Sequence, residues 1–262
     1  MKIVVCVKQV PGTINVEFDP ETRRLARDGV ETIPNPFDTY ALEQGILVKE
    51  ALEGEVIALS MGPPAAEATL REAIACGADS GILLSDAIFE GSDTWATSYI
   101  LSKAIEKIGS VDLIVCGKQT SDGETAQVGA GLAQHLGWPQ AAFVSAMPEM
   151  NADSIVVRRM FESGFDECRV NLPAVVTVVK DINSPRIPSL RSKMASKKAE
   201  IPAWDASTLG ISSESVGLDA SPTTVIATEK APKRDSESVV LEGSPSDSAK
   251  SLVSELRKKS LV

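Results

Sequence analysis

Four short runs of aliphatic residues, 3–7 (IVVCV), 56–61 (VIALSM), 81–85 (GILLS) and 113–117 (LIVCG), are apolar without alternation. A strand that faces water on one side turns polar at every second residue, so unbroken runs of this length imply strands covered on both faces. Between and after them, residues 39–52, 65–75, 93–108 and 125–136 carry apolar side chains at helical spacing, each with Gly at or just beyond its end. The alternation is that of βαβ units. It predicts an α/β fold with a parallel, Rossmann-like sheet and crossover helices.

In such a sheet the loops at the carboxyl ends of the strands converge on a ligand crevice. Residues 6–12, 60–63 and 117–124 are therefore expected to rim one site. After Pro139 the rhythm changes: AAFVSAM, SIVVRRMF and ECRVNL predict a β-hairpin attached to the sheet, with PAVVTVV as a further apolar run. From Ser184 onward Ser, Pro, Lys and Glu are frequent and long apolar runs are few, until a short amphipathic segment at 248–261. This composition fits either a disordered tail or an arm ordered against a partner. The division expected is an α/β domain over 1–183 and a loop plus extended C-terminal arm over 184–262.

The 262 residues are 43% hydrophobic, ample for one sizeable core, and the net charge of -10 opposes binding to nucleic acid or to an anionic membrane surface. No stretch approaches the roughly 20 apolar residues of a bilayer span, and the start MKIVVCVKQVPG lacks the pattern of a secretory signal. Cys6, Cys76, Cys116 and Cys168 are too far apart for a zinc or redox pair, which suits reduced thiols and a cytoplasmic location.

Two familiar phosphate motifs are missing. Asp112 stands where the first glycine of a P-loop would precede Gly117, and Gln119 stands at its Ser/Thr position. No GxGxxG follows the first strand. With His135 as the single histidine, placed inside a predicted helix, acid–base catalysis by side chains has little support, and the chemistry shifts to a bound cofactor.

The richest stretch is VDLIVCGKQTSDGETAQVG, 111–129. A buried strand ends at Cys116, a polar loop follows, and a helix is expected to open near Glu124 or Thr125. Free N–H groups of Thr125, Ala126, Gln127 and Val128 would then hold a phosphate. Asp122 has a simpler reading as a helix cap. In NPFDTYALE, Asp38 reads as the cap of a helix and Asn35 as a contact to an adenine edge or ribose. Asp93 opens another helix, with Thr94 and Thr97 in reach of the same crevice. In SPRIPSLRSKMASKK, 184–198, the isolated apolar residues Ile187, Leu190 and Met194 in a basic loop suit an anchor for a partner pocket, with a solvated loop as the plain alternative.

VKQVPGT, NPFDTYALE, LSMGP, LREAIACGAD, CGKQTSDGETAQVG, RVNLPAVVTV and SPRIPSLRSKMASKK occur in this order in β subunits of electron transfer flavoproteins, which the chain resembles from Met1 to about Lys198. The resemblance implies an adenine-nucleotide-binding fold paired with an α subunit that carries FAD and exchanges electrons with acyl-CoA dehydrogenase-like or other flavin dehydrogenases. Carried over by position, it puts nucleotide contacts on Cys6, on Asn35, Pro36, Phe37 and Asp38, on Met61, and on Gly117, Lys118, Gln119, Thr120, Ser121, Asp122, Gly123, Glu124, Thr125, Ala126, Gln127 and Val128. The partner loop falls on 186–195, with Arg186 at its start and Leu190 as anchor. Family β subunits hold either a structural AMP or a second FAD. The second kind takes a hydride from NADH and splits the electrons between two acceptors, one of low potential such as ferredoxin or flavodoxin. DGETAQVG and SDTWATS resemble that FAD-binding, electron-bifurcating kind. Met160 stands where many β subunits have glutamate, so a flavin-tuning role is not carried over to it. A redox-inactive adenine-nucleotide-binding module is the remaining alternative.

Overall fold

The computed structural model describes residues 1–12, 31–227 and 238–262, in two compact units, Met1–Ile226 and Ala227–Val262. Thr13 of VKQVPGT and residues 228–237 of the arm lie outside the described residues.

Unbroken apolar runs form the central strands. The first unit contains β1 (Lys2–Cys6), β2 (Gln9–Pro11), β3 (Thr32–Pro34), α1 (Pro36–Leu52), β4 (Glu55–Met61), α2 (Glu67–Cys76), β5 (Ser80–Leu84), α3 (Thr94–Ile108), β6 (Leu113–Gly117) and α4 (Val128–Leu136). It continues with β7 (Gln140–Met150), β8 (Ser154–Phe161), β9 (Gly164–Asn171), β10 (Ala174–Val178), α5 (Leu190–Ser196), β11 (Ala203–Trp204) and α6 (Ala206–Leu209). Nine strands share one sheet in the order β11-β5-β4-β1-β6-β10-β7-β8-β9, and β2 and β3 pair antiparallel beside it. Strands from β11 to β7 are parallel; β8 and β9 close the sheet as an antiparallel meander.

Alternate residues of each strand point to opposite faces. Ile3, Val5, Val56, Ala58, Leu113 and Val115 pack with Ala41, Leu42, Ile46 and Leu70 of α1 and α2. Val4, Ile57, Leu59, Ile82 and Ile114 pack with Ile100, Leu101, Ile105 and Leu132 of α3 and α4. Both faces are thus covered, which is why these strands carry no polar alternation. Gly45 permits α1 to approach the sheet closely, since a Cβ there would lie 2.6 Å from Val5 Cγ2.

Beyond Ser184 the chain keeps packing on the same body up to residue 226. β11 joins the edge of β5, Asp86 accepts the Ala206 N–H at 3.0 Å, and Leu209, Ile211 and Val216 enter the core. In the second unit, α7 (Pro245–Lys258) is capped by Ser244, and Leu252 and Val253 stand exposed on it. Among the described residues no helix is long and apolar enough to cross a membrane.

Candidate functional site

The direction in which successive strands are added reverses at β1, which has β4 on one side and β6 on the other. Crossovers leave the sheet on opposite faces there, so a crevice opens at the carboxyl ends of β1 and β6. Cys6 and Cys116 face each other in register on its floor. A hydrogen bond with Cys6 that favours the neutral thiol, together with burial, pushes Cys116 well up, so it stays protonated and serves packing. All four cysteines are free.

The loop after β1 is fixed to the start of α1. Asn35 N–H donates to the Lys8 carbonyl at 2.8 Å, and Lys8 N–H donates to Asp38 Oδ2 at 2.7 Å. Asp38 is not the helix cap. Asn35 holds the cap position without a side-chain cap bond, because Pro36 supplies the first helical residue, and Asp38 lies inside the first turn. Burial pushes the Asp38 carboxyl up to about 7 against the lowering effect of its bonds to Asn35, Lys8 and Gly117. Gly117 is required at this point: a Cβ would strike Asp38 Oδ1 and the Phe37 backbone.

Asn35 is fully buried and braces the second wall. Its Nδ2 donates to the Gln119 carbonyl at 2.8 Å, and its Oδ1 accepts the Ser121 N–H at 3.1 Å. The carboxamide expected to meet an adenine or ribose is therefore turned into the loop and shapes it. Lys118 donates from its N–H to Val178 and holds its ammonium 5.3 Å from the Phe143 ring. Asp122 does not cap α4; it forms an ion pair with Lys8 at 2.8 Å and takes a hydrogen bond from Thr120. Phe143 was not among the expected site residues, and Lys8 was expected only as part of the 6–12 rim, without a partner.

Helix α4 begins at Val128 and not at Thr125, with Gln127 at its cap. Glu124 and Ala126 adopt positive φ, 52° and 55°, which takes the chain out of helical register before that point. Ala126 in the left-handed and Gln127 in the right-handed region turn successive N–H groups to one side, the geometry of an anion-binding nest. Among the described residues, the N–H groups of Thr125, Ala126 and Gln127 have no hydrogen-bond acceptor, and those of Val128, Gly129 and Ala130 are the free donors of a helix start. Gly129 brings this turn onto the sheet, since a Cβ would strike Thr177 Cγ2. Gly123 lies in the turn that Glu124 N–H closes on the Thr120 carbonyl at 3.0 Å.

Met61 is half-buried at the end of β4, and Gln9 reaches across to the Ala65 carbonyl at 3.1 Å, just beyond the expected 60–63 loop. Asp93 caps α3, accepting the Ala96 N–H at 3.0 Å. Its other oxygen takes Thr223 N–H and hydroxyl at 2.9 and 2.7 Å. Thr94 and Thr97 stand half-buried on the first turn, where the Thr97 hydroxyl turns back to the Ser92 carbonyl at 3.5 Å. His135 packs its ring 4.2 Å from that of Trp95 and 5.6 Å from that of Tyr99, a packing position between α3 and α4.

The segment read as a partner loop is tied to the fold at both ends. Arg186 is internal to the fold: it bonds Glu43 at 2.8 and 2.9 Å and Glu50 at 2.8 Å on α1. Asn183 donates to the Tyr40 carbonyl at 3.0 Å, and Arg71 holds the far end through the Ser196 carbonyl at 2.8 Å. Between these fastenings Ile187, Leu190 and Met194 are 91%, 77% and 62% exposed. Three large apolar side chains held in water, Ile187 on the loop and Leu190 and Met194 on the short helix α5 that follows it, are unfavourable for the isolated chain and suited to a docking surface.

Residues 22–209 match the model of the electron transfer flavoprotein domain. The chain belongs to the electron transfer flavoprotein family, as a β subunit. It is 41% identical to the caffeyl-CoA reductase-Etf complex subunit CarD of Acetobacterium woodii and 40% identical to the electron transfer flavoprotein subunit beta of Thermoanaerobacterium thermosaccharolyticum, each over 263 residues and all of both chains. To the protein FixA of Azorhizobium caulinodans it is 38% identical over 266 residues, 99% of this chain and 95% of that one. The resemblance and the α/β fold drawn from sequence both stand, and so does the electron-transfer role. β subunits of this family work with α subunits and are flavin-associated.

Proposed function

We propose that this β subunit binds FAD in the crevice between β1 and β6 and, paired with its α subunit, takes electrons from NADH and passes them on by flavin-based electron bifurcation. The observation that carries the nucleotide reading is the run of six N–H groups, 125–130, on the crevice wall, none of which has an acceptor among the described residues. Its length suits a diphosphate. The close approach permitted by Gly117 and Gly129 clears the space such a group needs.

The flavin, when bound, supplies the two-electron and one-electron chemistry. The chain's own residues bind and orient it. The amides of Thr125, Ala126, Gln127 and Val128 take phosphate oxygens, Asn35 and Asp38 fix the loop that presents them, Met61 and Cys6 line the floor, and Thr94 and Thr97 offer hydroxyls from α3. Pro36 and Phe37, the first residues of α1, close one side. The second reading, a structural AMP, uses the same amides for one phosphate.

The exposed Ile187, Leu190 and Met194 dock a dehydrogenase, and the C-terminal arm within 184–262 packs on the α subunit. The full-length match to the CarD subunit, named as part of a reductase complex, supports this assembly. A flavodoxin or ferredoxin is the low-potential acceptor, and the setting is cytoplasmic.

Denaturing the purified heterodimer and counting released nucleotides tests the reading. Two FAD and no AMP per heterodimer are expected; one FAD and one AMP would contradict bifurcation and establish the structural-AMP alternative.

A further inference from the structure

Lys8 Nζ lies 2.9 and 2.8 Å from the two carboxylate oxygens of Asp122. The partners come from the loops after β1 and β6, and they meet across the crevice just described. The Asp122 side chain keeps 6% of its exposure and that of Lys8 keeps 39%, so an inward-facing carboxylate neutralises an ammonium that solvent still reaches. Against burial, Lys8 holds the Asp122 carboxyl below the usual carboxylate range. Three residues further along the same loop the unengaged N–H run begins. The loop therefore contains donors that call for an anion, and it already carries one of its own.

We propose that Asp122 is an internal stand-in for ligand phosphate: an anionic adenine nucleotide entering the crevice takes the Lys8 ammonium from Asp122, whose carboxylate turns away. This rests on the nucleotide reading above. A phosphate seated beside an unmoved Asp122 would meet like-charge repulsion in partly buried surroundings, whereas exchange removes the repulsion and gives the phosphate a cation. The exchange makes the pair a specificity device. A phosphorylated nucleotide opens it, and a neutral nucleoside leaves it closed. Lys8 is then a phosphate ligand that the ligand-free chain keeps occupied, and Asp122 is a competitor that lowers affinity for every anion alike.

The test uses the full-length chain stripped of nucleotide, titrated calorimetrically with AMP and with adenosine. Asp122→Asn is expected to bind AMP about tenfold tighter, with adenosine unchanged, because the competitor is gone and Lys8 is free. Lys8→Ala is expected to bind AMP at least about tenfold more weakly, again with adenosine unchanged. Thermal melts of both variants verify folding. AMP binding to Asp122→Asn that is equal to or weaker than wild type, while wild type binds AMP, overturns the exchange alone. Wild type that binds neither AMP nor adenosine overturns the nucleotide reading and the exchange together.

Discussion

Arg186 reaches back from its loop to the Glu43 carboxylate, 143 positions earlier in the chain, with Nε and Nη2 2.8 and 2.9 Å from its two oxygens. Glu43 keeps 7% of its side-chain exposure and Arg186 keeps 35%, so the acid is the member that suffers when the pair is broken. The hydrogen bonds to Glu43 and Glu50 drive the Arg186 guanidinium still further above its ordinary range. It stays charged at every working pH.

Arg186→Ala should therefore cost about 1–3 kcal/mol, less than a fully buried pair because Arg186 is partly solvated. The urea midpoint measures this. Limited proteolysis at 184–198 should accelerate in the same variant, since the front fastening of the loop is lost.

Leu190→Ala should behave in the opposite way. Its side chain is mostly in water, so the melting temperature should stay within about 1 °C of wild type, while affinity for the partner dehydrogenase should fall by about 1–3 kcal/mol. Surface plasmon resonance against that dehydrogenase checks the second value and calorimetry the first.

Gly117→Ala puts a methyl group against Asp38 Oδ1 and the Phe37 backbone, and relief requires moving either the strand or the α1 entry. A loss of about 1–3 kcal/mol is expected. Nucleotide retention on a desalting column should drop as well, because the loop that carries the free amides starts at this residue.

The Asp38 carboxyl also sets a pH dependence. Its folded-state value, about 7, lies above the ordinary 3.8, so between these limits the folded chain holds a proton that the unfolded chain has released. This group's contribution to stability is therefore greatest below about pH 4, declines as pH rises toward 7, and is constant above that, a total on the order of 4 kcal/mol. Urea midpoints at pH 5 and 8 should differ less in Asp38→Asn than in wild type. An equal difference in both would remove Asp38 as the cause.

The sheet was legible in the sequence because burial on both faces leaves a mark in every residue of Ile3, Val4 and Val5 or Leu113, Ile114 and Val115. Helix bodies were legible for a similar reason. Local exceptions were not. Glu124 and Ala126 suit a helix start by residue type, and only their left-handed conformations delay α4 to Val128. Asp38 resembles a cap, yet the proline after Asn35 moves the helix start ahead of it. β11 has two residues, too few to show a period, and Leu209, Ile211 and Val216 are isolated apolar residues in a polar stretch, so the packing of 203–216 onto the core left no pattern. The Lys8–Asp122 and Arg186–Glu43 pairs join residues more than a hundred positions apart, which spacing does not encode.

Hydrogen exchange on the heterodimer, followed peptide by peptide with nucleotide retained and with nucleotide removed, tests the account at its centre. Slower exchange confined largely to the peptide spanning 120–131 in the nucleotide-bound form is the predicted result, because the amides of Thr125 to Val128 gain acceptors there. Equal exchange of that peptide in both forms, with nucleotide demonstrably bound to the β subunit, would contradict it.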